Sequence, residues 1–140
     1  MRRQTILIVC SDHLHAASLR ATLGTAHELR VVGDAQEWDK AVELARRHAP
    51  TAIVLAADLP GRLLVDLTRD LREASAASEI LVFAERVTFD GATLWGLLDV
   101  GVHGCLAWEA VRPEAVPNCI LAVLGGVQVI SRVLLEGLGL

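Results

Sequence analysis

The sequence predicts an α/β fold: one parallel sheet covered by helices on both faces. Two observations carry that reading. Short, continuous apolar runs recur along the chain, as strands buried on both sides of a parallel sheet require. Between them lie stretches whose apolar residues repeat at helical spacing, and strict alternation of the two is the pattern of strands joined by crossover helices.

The first run is Ile6-Leu7-Ile8-Val9. A helix with Ala16, Leu19 and Leu23 follows and stops at Gly24. Glu28-Leu29-Arg30-Val31 alternates polar and apolar residues, which suits an edge strand exposed on one side. Trp38, Ala41, Val42 and Ala45 form the stripe of a second helix, ended by Pro50. Ala52-Ile53-Val54-Leu55-Ala56 is the next buried strand, and Pro60-Gly61 is turn chemistry. Leu64, Leu67 and Leu71 mark a third helix, and Ile80-Leu81-Val82-Phe83 another apolar strand. A fourth helix carries Leu94, Leu97 and Leu98 and closes at Gly101, before a last strand, Gly104-Cys105-Leu106-Ala107. Pro113 suits the start of a fifth helix containing Ile120, Val123 and Leu124, while Pro117, one turn in, makes that helix begin late or bend. After Gly125-Gly126, the spacing of Ile130, Val133 and Leu134 predicts one more short helix.

Five such units in 140 residues match the flavodoxin-like (βα)5 three-layer sandwich with sheet order 2-1-3-4-5. In that order ligands sit at the carboxyl ends of the first and third strands. The residues that decide function are therefore expected just after Val9 and just after Leu55.

Composition narrows the function classes. No apolar run approaches the roughly 18 residues of a membrane span. The five apolar residues Ile6 to Cys10 are too short for a signal-peptide core, so a cytoplasmic protein is expected. Cys10, Cys105 and Cys119 are scattered, with no CxxC spacing and no implied disulfide framework. A formal charge of −4 argues against nucleic-acid binding by this segment, which would call for a basic face. The thirteen basic residues include a single lysine, Lys40.

Several segments together resemble the receiver domain of LuxR-type response regulators, across nearly the whole length. They are Ile6-Leu7-Ile8-Val9, the run Glu28 to Ala35 (ELRVVGDA), Pro50 to Leu55 followed by Leu59-Pro60-Gly61, and Gly101-Val102-His103-Gly104-Cys105-Leu106-Ala107. The resemblance implies a phosphoacceptor site: two acidic residues after the first strand, an aspartate ending the third, a hydroxyl ending the fourth and a lysine ending the fifth. Such groups hold Mg²⁺ through oxygen ligands and neutralise the phosphoryl charge. On this chain the acidic pair falls on Cys10 and Ser11, the acceptor on Ala56, the hydroxyl on Ala84 and the lysine on Trp108. The aromatic that responds to phosphorylation falls on Cys105. A slipped alignment would make Asp58 the acceptor, but Pro60 lies four residues after Ala56, as the family places it, and only two after Asp58.

The richest stretch chemically is Cys10-Ser11-Asp12-His13-Leu14-His15. Ser11 or Asp12 caps the first helix, or Cys10, Asp12, His13 and His15 hold a metal with Asp58 across the pocket; the spacing of the histidines is poor for ligation. Cys10 is either a buried strand-end residue or a redox-sensitive thiol at a helix N-terminus. Trp108 either fills the space of the lost phosphate or offers an aromatic wall to a planar ligand. Asp12, Asp58, Glu85 and Arg86 would surround the mouth, as solvated charges or as ligand contacts. Trp38 and Trp95 read as core, whereas Arg46, Arg47, Arg69, Asp70, Arg72 and Glu73 read as solvent faces.

The expected organisation is a receiver-like domain over 1–126 and a helix or linker over 127–140 that leads towards a possible DNA-binding domain. No nucleophile–base pair, phosphate-cradling glycine loop or catalytic carboxylate pair is found, so no enzyme activity, cofactor or metal is expected. Two functions of different class remain open. One is a phosphorylation-independent regulatory module that forms a homodimer or docks a partner protein through helix four, strand five and helix five. The other is a small-molecule sensor using the vacated pocket, with a redox or metal switch at Cys10 a third.

Overall fold

The computed structural model describes residues 3–56, 58–85 and 89–136. Five strands form where the apolar runs lie: β1 (Gln4–Cys10), β2 (Leu29–Ala35), β3 (Ala52–Ala56), β4 (Glu79–Ala84) and β5 (Gly104–Ala107). They alternate with α1 (His13–Gly24), α2 (Trp38–His48), α3 (Gly61–Ala74), α4 (Gly91–Val100) and α5 (Val116–Leu124). Every strand pairing is parallel, and β1 lies between β2 and β3. The predicted order is thus observed, with one addition at the far edge.

That addition is β6 (Val129–Ile130), which pairs with β5 and makes the order 2-1-3-4-5-6. A short helix, α6 (Arg132–Glu136), follows. The Val129 amide donates to the His103 carbonyl at 2.8 Å and the Ser131 amide to the Cys105 carbonyl at 3.0 Å. Ser131 Oγ accepts from the Ala107 amide at 2.9 Å. Leu134 is buried in the same core as Leu94 and Leu97 of α4. Residues 129–136 therefore belong to the sheet and its core. They also cover the outer edge of β5, so the surface expected between α4 and α5 does not expose an open strand edge.

The period-two alternation of strands divides the core. Leu7 and Val9 of β1 face a cluster with Leu44, Leu67, Leu71, Leu94 and Leu97, under α2, α3 and α4. Ile6, Ile8 and Cys10 face Leu19, Leu23, Val116, Ile120 and Val123, under α1 and α5. Two glycines permit the closest packing. A Cβ on Gly104 would run into Leu81 and Val123, and one on Gly61 would meet Thr93 Oγ1, so the start of α3 presses directly on α4. The fifth helix begins late: a 3-10 turn spans Pro113–Ala115, and Pro117 sits in the first turn of α5, where its missing amide proton costs no hydrogen bond.

Several surface readings change. Trp95 is 61% exposed, because one step beyond the buried Leu94 turns a side chain about 100° around the helix. Trp38 is half-buried, and its indole N–H donates to Asp70 Oδ2 at 2.9 Å, so Asp70 is a partner rather than a free surface charge. Arg72 is also half-buried and donates to the Ser78 carbonyl at 2.9 Å, while Ser78 Oγ in turn donates to the Pro50 carbonyl. Among the described residues no helix is long and apolar enough to cross a membrane.

Candidate functional site

Parallel register brings the strand ends together. Cys10 lies beside Ala56, and Ala84 beside Ala107. Above this floor opens a cleft of about 630 Å³, lined among others by Ser11, Ala56, Asp58, Ala84, Glu85 and Trp108. The site predicted after the first and third strands is therefore a real concavity. Cys10 is not part of its wall; it lies fully buried beneath. Arg86, placed at the mouth by the sequence, lies outside the described residues.

The β1/β3 side is closed by polar links. Ser11 Oγ accepts from the Asp58 amide at 2.9 Å, which ties the loop after β3 to the end of β1. Asp12 is the N-cap of α1: its Oδ1 accepts from the Leu14 amide at 2.8 Å. The Cys10 thiol donates to the Asp12 carbonyl at 3.3 Å. Burial pushes the thiol pKa up, and the charges of Asp12 and Asp34 add to that against the opposing hydrogen bond. A redox switch needs an exposed, acidified thiol, so Cys10 is the reverse of what that reading requires. Among the described residues no three His, Cys, Asp or Glu side chains gather closely enough to hold a metal ion. The Asp12 bond instead matches the helix-capping alternative, whereas the Ser11 hydroxyl is taken by the loop after β3.

The β4/β5 side is aromatic. Trp108 begins a 3-10 turn (Trp108–Ala110) directly after β5. Its indole stacks on Phe83 with ring centroids 4.4 Å apart, and His15 of α1 stacks on it at 4.9 Å, both pairs inclined by 24°. Contacts of this kind contribute about 0.5–1.5 kcal/mol each beyond burial. His15 Nδ1 also lies 3.5 Å from Asp12 Oδ2, which links the stack to the cap of α1. Trp108 thus packs against its neighbours and still leaves the cleft open in front of it. Sequence reasoning missed Phe83 and His15 as its partners. The available signal was positional: Phe83 immediately precedes Ala84, and His15 lies within the first turn of α1.

The remaining expected positions are placed as follows. Ala56 and Ala84 are buried at the floor, and Asp12, Asp58 and Glu85 are exposed at the rim. Cys105 is buried, its thiol pushed up to about 12 by desolvation. Lys40 lies on α2, 3.6 Å from Glu43, and is not among the lining residues of the cleft.

Comparison with solved structures settles the architecture. The two-component response regulator of the LuxR family from Aurantimonas sp. SI85-9A1 superposes with a TM-score of 0.80 at 21% identity, covering 98% of this chain and 96% of that one. The signal receiver domain of NarL from Mycobacterium tuberculosis gives 0.76 at 18% identity, covering 90% and 99%. The fold is that of a response-regulator receiver domain. Sequence similarity also leads to regulatory proteins. The nitrate/nitrite response regulator NarL of Escherichia coli K12 is 26% identical over 130 residues, 93% of this chain and 59% of that protein. The transcriptional regulatory protein DegU of Brevibacillus brevis is 24% identical over 91% of this chain and 53% of its own length. The chain thus spans a little over half the length of the curated relatives it matches. No family model matches it.

Proposed function

We propose that this chain is a phosphorylation-independent regulatory receiver module, the N-terminal regulatory domain of a LuxR-type transcription regulator. It acts in the cytoplasm by dimerising or by docking a partner protein, and it catalyses nothing. One observation carries the reading: the end of β3 presents the buried methyl group of Ala56, set against Cys10, where phosphoryl transfer needs a carboxylate. A methyl group cannot accept a phosphoryl group, and the neighbouring Ala84 and Trp108 supply neither hydroxyl nor ammonium. The similarity to NarL and DegU supports the regulatory role.

The contact surface in this reading is the α4–β5–α5 side, with β6 and α6 laid over the edge of β5 and the exposed Trp95 on α4. Incubation with acetyl phosphate and Mg²⁺, followed by intact-mass measurement, is expected to leave the mass unchanged. A phosphoryl adduct on any aspartate, above all one removed by Asp58→Asn, would overturn the reading. Sedimentation velocity is expected to show a dimer that grows with concentration. The open cleft favours a second reading, in which the same module senses a small molecule.

A further inference from the structure

We propose that the dimer forms by exchange of the C-terminal segment: residues 127–136 of each copy lie on the β5 edge of the other. The inference rests on the dimer reading above and deepens it, naming the partner as a second copy and the element that crosses.

The segment is a separable unit. What holds it lies beyond residue 128, and the groups that receive it belong to the body of the domain. The Val129 and Ser131 amides meet the His103 and Cys105 carbonyls, and Ser131 Oγ meets the Ala107 amide. Leu134 fills the space beside Leu94, Leu97, Val102 and Cys105. The same bonds and the same burial arise whichever copy supplies the segment, so closure within one chain and exchange between two differ little in contacts. Each β5 edge stays covered in both forms, and no strand is left open to aggregation.

The link to the body is suited to a change of direction. Residues 125–128 (Gly-Gly-Val-Gln) are all exposed. Backbone bonds hold the closed turn, from the Gly126 amide to the Val123 carbonyl and from the Val127 amide to the Ala122 carbonyl. Water can replace such bonds at an exposed helix end. Gly126 stands at φ +93°, with nothing within 4 Å of the place a Cβ would take. The closed turn therefore needs glycine for its backbone and not for space. Fully extended, four residues span about 14 Å, a reach that lets the segment cross to a facing copy.

Val127 adds an argument for the exchanged form. It is 54% exposed, a large apolar side chain that the closed chain leaves in water. In a two-fold exchange the hinges cross at the symmetry axis, which brings the two Val127 side chains together. That burial is gained only by the dimer.

Two measurements on the 140-residue chain test the exchange. The first combines Ile130→Cys with Cys119→Ser. Positions 105 and 130 are register partners packed in the same core, and paired strands lie about 5 Å apart, within disulfide reach. Oxidation with diamide is expected to give a covalent dimer, in which Cys105 of one chain is bonded to the introduced thiol of the other. Mixing isotope-labelled and unlabelled chains marks the bonds that run between copies. Their share is expected to follow the fraction of dimer in sedimentation velocity. The second measurement uses Gly126→Ala. An L residue strains the closed turn, whereas an extended hinge accepts it freely. Two hinges relax per dimer, so the dimer is expected to tighten about tenfold or more. A dimer docked through closed surfaces would not respond. Bonds confined to single chains while sedimentation shows a dimer would overturn the exchange and leave the dimer reading in place. So would the absence of any bond from Cys105 to the introduced thiol, or a dimer unchanged or weakened by Gly126→Ala. A wild-type chain that stays monomeric at every concentration removes the dimer reading and the exchange with it.

Discussion

The two sides of the cleft are built on different chemistry. On the β1/β3 side, short polar bridges do the joining: Ser11 to the Asp58 amide, Asp12 to the first turn of α1. On the β4/β5 side, three rings lie face to face, Phe83, Trp108 and His15, and van der Waals contact replaces directed bonds. The floor between them is alanine on both sides, Ala56 and Ala84. The difference teaches that a site without charged centre groups can be stabilised in two unequal ways. Aromatic packing contributes through area, and a surface hydrogen bond contributes little beyond positioning.

The largest expected effect breaks the aromatic side. Trp108→Ala removes both stacks and leaves a hollow over Phe83, and urea denaturation should show a loss of about 3 kcal/mol, the low end for Trp→Ala changes because Trp108 is only half-buried. A loss below about 0.5 kcal/mol would mean that the rings touch without stabilising. On the polar side, Ser11→Ala should cost no more than about 1 kcal/mol, since the amide it frees is near solvent. Its clearer signature is faster hydrogen exchange at the Asp58 amide, with Trp108 unaffected. The smallest effect concerns Cys10. In native protein at pH 8, iodoacetamide should label the half-buried Cys119 well before Cys10, because burial both hides the Cys10 sulfur and keeps it protonated. Rapid labelling of Cys10 would reopen the redox alternative.

Much of this architecture is legible in the residues because burial on both faces forces continuous apolar runs. Ile6–Val9, Ala52–Ala56 and Ile80–Phe83 could hardly be anything but inner strands, and their order places the cleft after Val9 and Leu55. The strand β6 escaped because two residues give no period to read, and Ile130, Val133 and Leu134 fit a helical repeat equally well. Trp95 was misplaced because an aromatic beside a leucine stripe resembles core unless the helix's facing partner is known. The aromatic stack was hidden for a different reason. It joins residues from α1, β4 and the turn after β5, which only the finished sheet brings together. Hydrogen bonding of Asp70 and Arg72 was likewise invisible, since charged residues on a helix carry no mark of the half-buried partner they meet.

The hydrogen bond from the Ala107 amide to Ser131 has a mechanical meaning. Ala107 is the residue immediately before Trp108, and Ser131 immediately precedes α6. One peptide unit therefore separates the ring that borders the cleft from the atom that anchors the C-terminal helix. A displacement of the indole that turns the Ala107 amide would lengthen this one anchor, while the Val129 and Ser131 amide bonds still hold the segment to β5. One that leaves the peptide in place transmits nothing. The cleft's aromatic wall and the C-terminal helix are thus fastened to the same end of β5, with the Val129 and Ser131 amides and the buried Leu134 sharing the hold on the helix.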